Sequence, residues 1–232
     1  MSHREEIFRN IEEIKEKISS ARDRSNNQKN IILVAVTKTR PHSILETALD
    51  LGLNHIGENR VQEAENKFAK LNDNVSIVKR MIGHLQSNKA KKAVEIFDTI
   101  DSVDSLKLAK RINHHAGRLN KNIDVLLEIN TCDEKQKHGF EPVVSDELFE
   151  CIQLENICVS GLMTVGPLTR DEWLIRKSFK KLVKIQDELN RQLPAQKLET
   201  LSMGMSGDYE IAIEEGSNML RLGTALFGKR SG

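Results

Sequence analysis

The alternation of strand-like and helix-like segments constrains the fold of this chain more than any other feature. The first strand-like run, Ile31–Val36, is apolar and rich in β-branched residues, which is typical of a parallel strand buried on both faces. Helices are predicted between the strands, for example over Ser105–Leu119 and Asp171–Leu193. The eight predicted strands are Ile31–Val36, Asn54–Gly57, Ser76–Gly83, Ile96–Val103, Ile123–Asn130, Ile157–Thr164, Thr200–Met203 and Met219–Leu222.

Two parallel-sheet architectures fit alternating strands and helices: an open doubly wound sheet and a closed eight-stranded barrel. The even spacing of eight strands favours the barrel, and a length of 232 residues suits one such domain. A doubly wound sheet that binds a dinucleotide would carry GxGxxG after its first strand, whereas this chain has Thr37-Lys38-Thr39-Arg40 there. The predicted fold class is therefore α/β, a single (β/α)8 TIM barrel domain over residues 1–232.

An additional helix is predicted before the barrel, over residues 1–22. Ile7, Ile11 and Ile14 recur at helical spacing, and the pair Ser2 and Glu5 has the form of a capping box. We expect the apolar face of this helix to pack on the barrel.

Composition excludes several classes of protein. The 35 basic and 34 acidic side chains leave a net charge of +1, so no nucleic-acid partner is expected. No window approaches the roughly 20 apolar residues that span a bilayer, and the first residues lack the apolar stretch of a secretory signal. Cys132, Cys151 and Cys158 form no CxxC pair, so neither a disulfide framework nor a metal site is predicted, and Cys158 is interpreted as a small core residue. These features favour a soluble cytoplasmic protein, and the high charge content is compatible with a monomer.

A lysine stands where the first predicted strand ends. In barrels of this kind the functional loops follow the carboxyl ends of the strands, which places Lys38 at the barrel mouth. Desolvation there would lower the pKa of the amine and favour the neutral nucleophile that forms a Schiff base. Alternatively, Lys38 reaches the rim and pairs with a carboxylate such as Glu58.

The ends of the last two predicted strands carry small residues. Ser206-Gly207-Asp208 and Gly223-Thr224 offer hydroxyl and backbone N–H groups that an anion can approach closely. Barrels commonly bind phosphate at these two loops. A short helix is predicted over Asp208–Glu215, with Asp208 as its N-cap and Gly216 as its end. A reactive lysine combined with a phosphate cradle suits an aldehyde that carries a phosphate.

Seven sequence blocks carry a resemblance to one family. The blocks are Val36–Pro41, Gly57–Glu63, Ile82–Lys89, Lys137–Phe140, Gly161–Thr164, Leu201–Ser206 and Arg221–Gly228. Through them the chain resembles the pyridoxal phosphate (PLP) homeostasis proteins, the YggS/PROSC family, from the N-terminal helix to Arg230.

The resemblance implies a PLP protein of fold type III, with a barrel similar to the N-terminal domain of alanine racemase. It implies that Lys38 holds PLP as a Schiff base, that Arg221 faces the pyridine nitrogen and that Asn59 lies near the ring. The remaining matched positions would bind the phosphate. The cofactor-binding residues implied in this way are Lys38, Asn59, Ser206, Arg221, Gly223 and Thr224.

Arg221 has a consequence for the chemistry. A guanidinium cannot accept a proton, so it would leave the pyridine nitrogen unprotonated and weaken the ring as an electron sink. The resemblance thus implies a regulatory or carrier protein that buffers PLP or delivers it to apo-enzymes, with no catalytic residue predicted. Lys135 and Lys137, in the loop after the fifth strand, are candidates for a transient Schiff base during transfer, and Lys89–Lys92 for docking a PLP enzyme or for a solvated helix face.

Two enzymatic alternatives remain open. A racemase needs acid/base groups on both faces of the substrate Cα. Alanine racemase-like enzymes supply the second group from a tyrosine of a C-terminal domain, and the one tyrosine here is Tyr209, on the phosphate side. His84 could take that role or be a rim residue, and Met163 could lie near the mouth or fill the core. A phosphosugar aldolase is disfavoured, because such enzymes usually carry their lysine on a later strand.

Overall fold

Eight parallel strands close into a barrel in the computed structural model, which describes residues 2–72, 76–132, 138–193 and 197–229. Each strand pairs with the next along the chain, and the first strand pairs with the last. This arrangement confirms the predicted barrel. The strands are β1 Ile32–Val36, β2 His55–Glu58, β3 Val78–Met81, β4 Thr99–Val103, β5 Ile123–Glu128, β6 Ile157–Met163, β7 Thr200–Ser202 and β8 Met219–Leu222.

Helices precede the barrel and follow its strands. A single 3-10 turn, Ser87–Lys89, leads into the fourth helix. The helices are α1 His3–Ser25, α2 His42–Asp50, α3 Val61–Phe68, α4 Ala90–Ile96, α5 Leu106–Arg118, α6 Asp146–Ile152, α7 Glu172–Gln192, α8 Tyr209–Glu214 and α9 Thr224–Phe227. Within the described ranges, none of these helices has both the length and the apolar character needed to cross a membrane.

The strand predicted over Ile96–Val103 was wrong at its beginning. Ile96 is the last residue of α4, and β4 begins only at Thr99. The apolar residues at the end of the helix and in the strand lie close together in sequence, so hydrophobicity alone does not mark the boundary.

The N-terminal helix α1 is present, and it packs on the barrel. Ser2 Oγ accepts a hydrogen bond from Glu5 N at 3.2 Å, and the Glu5 carboxylate accepts one from Ser2 N at 2.8 Å, which completes the capping box. Ile7, Ile11 and Ile14 are buried against the helices that follow β7 and β8. The helix extends beyond residue 22 to Ser25.

The barrel interior holds a small apolar layer and a buried ion pair. Val34, Leu126, Met163 and Met219 come from four different strands and form one buried cluster, separate from the larger core between strands and helices. Such a layer is typical of a filled barrel. Beside it, Arg80 Nη1 on β3 lies 3.1 Å from both carboxylate oxygens of Asp101 on β4.

Cys158 is exposed, so its interpretation as a core residue was wrong. Ile157 and Val159 are buried on either side of it, and β6 alternates between buried and accessible positions over its first four residues. Ile157 and Val159 belong to the core between strands and helices, so the side chain of Cys158 lies on the opposite face of β6, where it borders an open depression next to the start of β7.

Candidate functional site

A cavity of about 430 Å³ opens at the carboxyl ends of β1, β2, β7 and β8. All six residues that the sequence analysis assigned to cofactor binding line it, although they come from the ends of four separate strands and the loops that follow them. We call it the mouth cavity. Its lining residues are Val36, Lys38, Arg40, Asn59, Ile82, Val165, Met205, Ser206, Gly207, Arg221, Gly223 and Thr224.

The turn that carries Lys38 is fixed from below by a buried lysine. Lys67, on α3, is only 7% exposed, and its Nζ donates hydrogen bonds to the carbonyl of Thr37 at 2.6 Å and to Glu58 Oε1 at 2.7 Å. Thr37 Oγ1 donates to the same carboxylate oxygen at 2.6 Å. The chain directly before Lys38 is therefore bonded to both β2 and α3.

The other side of the turn is bonded to the same helix. Glu63, on α3, accepts hydrogen bonds from Thr39 N and from Lys67 Nζ. Thr39 has a φ of 59°, a left-handed conformation that is uncommon for a β-branched residue. Because both neighbours of Lys38 are held by one network, the turn presents the lysine at a defined place in the mouth cavity.

Glu58, the alternative partner considered for Lys38, forms an ion pair with Lys67 at 2.7 Å. The carboxylate is fully buried, and this burial raises its pKa, while hydrogen bonds from Lys67 and Thr37 oppose the shift. The sequence analysis missed Lys67 as a site residue, because nothing in the sequence of α3 indicates that this side chain reaches the end of β1.

Arg221 forms part of the wall of the mouth cavity. It is 5% exposed, and its Nη1 donates to the backbone carbonyl of Ser202 at 2.8 Å and to the Ser202 hydroxyl at 2.6 Å. Nη2 donates to the carbonyl of Thr164 at 2.7 Å. Burial lowers the pKa of Arg221, while the carboxylates Glu128, Asp101 and Asp208 oppose the shift. A guanidinium locked in this way can offer only donors to a ligand.

The loops after β7 and β8 are bonded to each other in the wall of the mouth cavity. Ser206 Oγ accepts hydrogen bonds from the backbone N–H groups of Gly223 at 3.3 Å and Ala225 at 3.0 Å, which ties the two loops together. A Cβ added to Gly223 would meet only Val36, at 3.5 Å or more, so packing does not require glycine there. Its lack of a side chain instead leaves space in the mouth cavity.

The short helix α8 begins after Asp208, but the Asp208 side chain does not cap it as predicted. The Asp208 carboxylate accepts a hydrogen bond from Met205 N at 2.6 Å within the preceding loop, and no side-chain cap bond of Asp208 to α8 is present in the part of the chain described. Burial raises the pKa of Asp208, and the bond from Met205 opposes the shift. Gly216, with a φ of 100°, follows the helix as predicted.

Asn59 reaches the mouth cavity because a glycine lies against it. A Cβ on Gly83 would come within 2.6 to 2.8 Å of the Asn59 backbone and Cβ, so any larger residue there would displace Asn59. Arg40 also lines the cavity and donates a hydrogen bond to the carbonyl of Gly228. Both Gly83 and Arg40 lie in the sequence blocks identified above, which was the available signal.

The remaining candidates lie elsewhere. His84 is exposed and lines an adjoining depression, where its Nδ1 is 2.9 Å from Asp104 Oδ2. Met163 is buried in the apolar layer of the barrel interior, as a core filler would be. Lys135 and Lys137 lie outside the described residues.

Glu128, at the end of β5, was missed by the sequence analysis. It is 8% exposed, and burial raises its pKa to about 7 although Arg221 acts in the opposite direction. A carboxylate at the end of an apolar strand was its only signal.

Comparison with known proteins places the chain in a family. The family model described as "Alanine racemase, N-terminal domain" matches residues 9–231. The pyridoxal phosphate homeostasis protein of Haemophilus influenzae is 36% identical over 228 residues, which cover 97% of this chain and 96% of the relative. The chain belongs to the pyridoxal phosphate homeostasis protein family. That membership confirms the resemblance found in the sequence blocks.

Solved structures agree with this membership. PipY of Synechococcus elongatus PCC7942, with PLP bound, superimposes with a TM-score of 0.81 at 37% identity and covers 91% of this chain and 100% of its own. Alanine racemase of Clostridium difficile 630 gives a TM-score of 0.76 at 18% identity, and this chain spans 57% of it. The racemase shares the barrel fold with the homeostasis protein family, and at this identity it indicates nothing further.

Proposed function

We propose that this protein binds PLP in the mouth cavity and holds it through Lys38, so that it buffers or delivers the cofactor without turning over a substrate. The observation that carries the proposal is the convergence of six residues from four strand ends on one cavity. The family name and the PLP-bound structure of PipY support it.

The residues of the mouth cavity include groups that suit the aldehyde and the phosphate of PLP. When bound, PLP supplies an aldehyde that condenses with a primary amine and releases water. Lys38 is the amine that we assign to this group, and the Ser206 hydroxyl would donate to the phosphate. The Gly223 N–H bonds to Ser206 Oγ in this structure and would exchange that partner for a phosphate oxygen. A volume of about 430 Å³ lies within the range of small-molecule sites.

Arg221 favours retention of the cofactor over catalysis. Its guanidinium is held by Ser202 and Thr164 and has no lone pair to offer. Placed at the pyridine nitrogen, it would keep that atom unprotonated, and a neutral pyridine is a weak electron sink. We therefore assign Arg221 to binding and orientation.

The racemase alternative lacks support from the cavity lining. The described residues that line the mouth cavity include neither tyrosine nor histidine. Tyr209 is buried in the core beside α1, and burial raises the pKa of its hydroxyl to about 12. It is therefore a poor candidate for the second proton-transfer group. Incubation of the PLP-loaded protein with D- or L-alanine should leave their chirality unchanged, and sustained racemisation would favour the alternative.

Chemical trapping tests the assignment of Lys38. Borohydride reduction of the PLP-loaded protein should leave a pyridoxyl group on the peptide that contains Lys38, and Lys38→Ala should lose this adduct and the visible absorbance of bound PLP. Lys89→Ala, at an exposed rim position, is the matched control and should keep both. An undiminished adduct in Lys38→Ala would show that another amine holds the cofactor.

The recipients of the cofactor are proposed to be apo forms of PLP-dependent enzymes. We propose further that the chain acts as one monomeric domain in the cytoplasm. An apo-enzyme should be reactivated at a different rate by the PLP-loaded protein than by the same total concentration of free PLP. Equal rates would argue against active delivery and leave a buffering role.

A further inference from the structure

Three metal-ligating side chains meet on the rim of the barrel, outside the mouth cavity. His84 follows β3, Asp104 follows β4 and His138 follows β5, so they extend from three successive strand ends. His84 Nδ1 lies 2.9 Å and His138 Nδ1 lies 3.8 Å from the same carboxylate oxygen, Asp104 Oδ2. One potential ligand atom from each residue lies within 4.8 Å of the others. We call these three residues the rim cluster.

We propose that the rim cluster binds one divalent transition-metal ion, and that Zn²⁺ is the ion that its donor set fits best. Two imidazole nitrogens and one carboxylate oxygen are ligands that Zn²⁺ accepts, with water completing the coordination. This proposal does not depend on PLP, because none of the three residues lines the mouth cavity.

The distances suit a metal without movement of the backbone. Bond lengths of about 2.0 to 2.2 Å in a tetrahedral Zn²⁺ site place neighbouring ligand atoms roughly 3.4 Å apart. The two distances to Asp104 Oδ2, 2.9 and 3.8 Å, lie on either side of this separation. Rotation of the two imidazole rings would make them equal without movement of the backbone.

The carboxylate is fixed while the imidazoles are free to turn. Asp104 is 11% exposed at its side chain, and its Oδ1 accepts a hydrogen bond from Ser105 Oγ at 3.1 Å. The side chains of His84 and His138 are 41% and 56% exposed. Their ring lone pairs do not converge in the stacked arrangement, so both rings must rotate about Cβ–Cγ to bind one ion, and their exposure leaves room for it.

Two histidine rings stack beside one carboxylate. The centroids of His84 and His138 lie 3.6 Å apart, with planes inclined by 10°. Both rings lie next to the Asp104 carboxylate, so two imidazoles and one carboxylate are within reach of one ion. Neutral imidazole is the form that binds metals. An ion pair with Asp104 would need only one of the two rings.

A bound ion would join the loops that follow β3, β4 and β5. Such a link acts on the barrel as any ligand of the native state does, by stabilising it against unfolding. No metal site is predicted from the sequence, because the three ligands lie in separate segments and have no characteristic spacing.

Calorimetric titration with Zn²⁺ tests the proposal. The full-length chain, freed of metal with a chelator and then of the chelator, should bind one Zn²⁺ per chain. His138→Ala and Asp104→Asn should each weaken binding by at least about tenfold, since loss of even a supporting ligand interaction commonly costs this much. Co²⁺ added to the natural protein should give a visible absorption spectrum that differs from the one obtained with His138→Ala or Asp104→Asn.

His114→Ala is the matched control, because His114 is exposed and also lies beside a second histidine, His115, at 5.2 Å between ring centroids. It should bind Zn²⁺ like the natural protein. Circular dichroism and PLP absorbance establish that each variant is folded. Absence of binding up to about 0.1 mM Zn²⁺, or equal affinity in His138→Ala and His114→Ala, would overturn the proposal.

Discussion

Single residues in this protein carry consequences that can be measured separately, and Gly223 is the sharpest example. A Cβ at this position would make only ordinary contact with Val36, at 3.5 Å, so the backbone tolerates a larger residue. We expect Gly223→Ala to fold normally but to bind PLP about tenfold more weakly, because its methyl group narrows the phosphate wall. Equilibrium titration with PLP measures this change.

Pyridoxal, which lacks the phosphate, is the control ligand for that experiment. Its affinity should change much less than that of PLP between the natural protein and Gly223→Ala. Equal losses for both ligands would place Gly223 away from the phosphate and contradict the assignment of this wall.

Glu128 gives the protein a pH-dependent stability. Burial raises its pKa from 4.5 to about 7, with Asp104 acting in the same direction and Arg221 and His84 opposing. Between pH 4.5 and about 7, the Glu128 carboxyl is deprotonated in the unfolded chain but stays protonated in the folded chain. The free energy of unfolding therefore falls as the pH rises through this range. The expected loss is about 3 kcal/mol, and it is complete above a pH of about 7.

Glu128→Gln removes this titration and keeps a similar shape. Urea unfolding of both proteins at several pH values, with a chelator present, should show a decline that the variant lacks. Parallel pH profiles for the two proteins would contradict the raised pKa.

At the scale of secondary-structure elements, Lys67 connects α3 to the ends of β1 and β2. Its ammonium bonds to Thr37, Glu58 and Glu63, and Glu58 is fully buried. Lys67→Met would leave a buried carboxylate without its cation, which typically costs about 3 to 5 kcal/mol of stability. We also expect weaker PLP binding, since the turn that carries Lys38 loses its support.

The control for Lys67→Met is Lys92→Met, which breaks an ion pair of similar length on the surface. Lys92 Nζ, on α4, lies 2.6 Å from Glu65 Oε1, which belongs to α3 as Lys67 does, but these two side chains are 44% and 36% exposed. Solvent screens such pairs, so denaturant unfolding should show a far smaller effect. Similar losses in both variants would argue against a special role of the buried network.

At the scale of the whole molecule, ligand binding should be coupled to the stability of the closed barrel. The mouth cavity is lined from β1, β2, β7 and β8, so a bound ligand contacts both sides of the β1–β8 closure. PLP at about 100 times its dissociation constant should raise the free energy of unfolding by about 2.7 kcal/mol. Thermal or urea unfolding with and without PLP measures this increase.

Pyridoxine phosphate separates the contribution of the amine. It has the ring and the phosphate but an alcohol in place of the aldehyde, so it cannot condense with Lys38. We expect it to stabilise the natural protein less than PLP does at equal concentration, and to stabilise Lys38→Ala about as much as PLP does. Equal stabilisation of the natural protein by both compounds would show that Lys38 contributes nothing.

The sequence by itself determined the fold class and most element positions. Strand β8 coincides with its prediction, and helix α7 was predicted to within one residue at each end. The physical reason is that periodicity and capping are encoded in consecutive residues. Lys38 could be singled out for a related reason, since a charged residue at the end of an apolar strand is visible in the chain, whereas Arg221 was assigned through the family resemblance.

Only the tertiary structure decided which distant residues meet. Closure of β8 onto β1 places Gly223 across one cavity from Lys38. Lys67 reaches beneath the turn, and Gly83 makes room for Asn59. Such contacts depend on how the strands tilt and close into a ring, which no local pattern encodes. The exposure of Cys158 and the meeting of the three rim-cluster loops were decided in the same way, by the position of each strand relative to its neighbours.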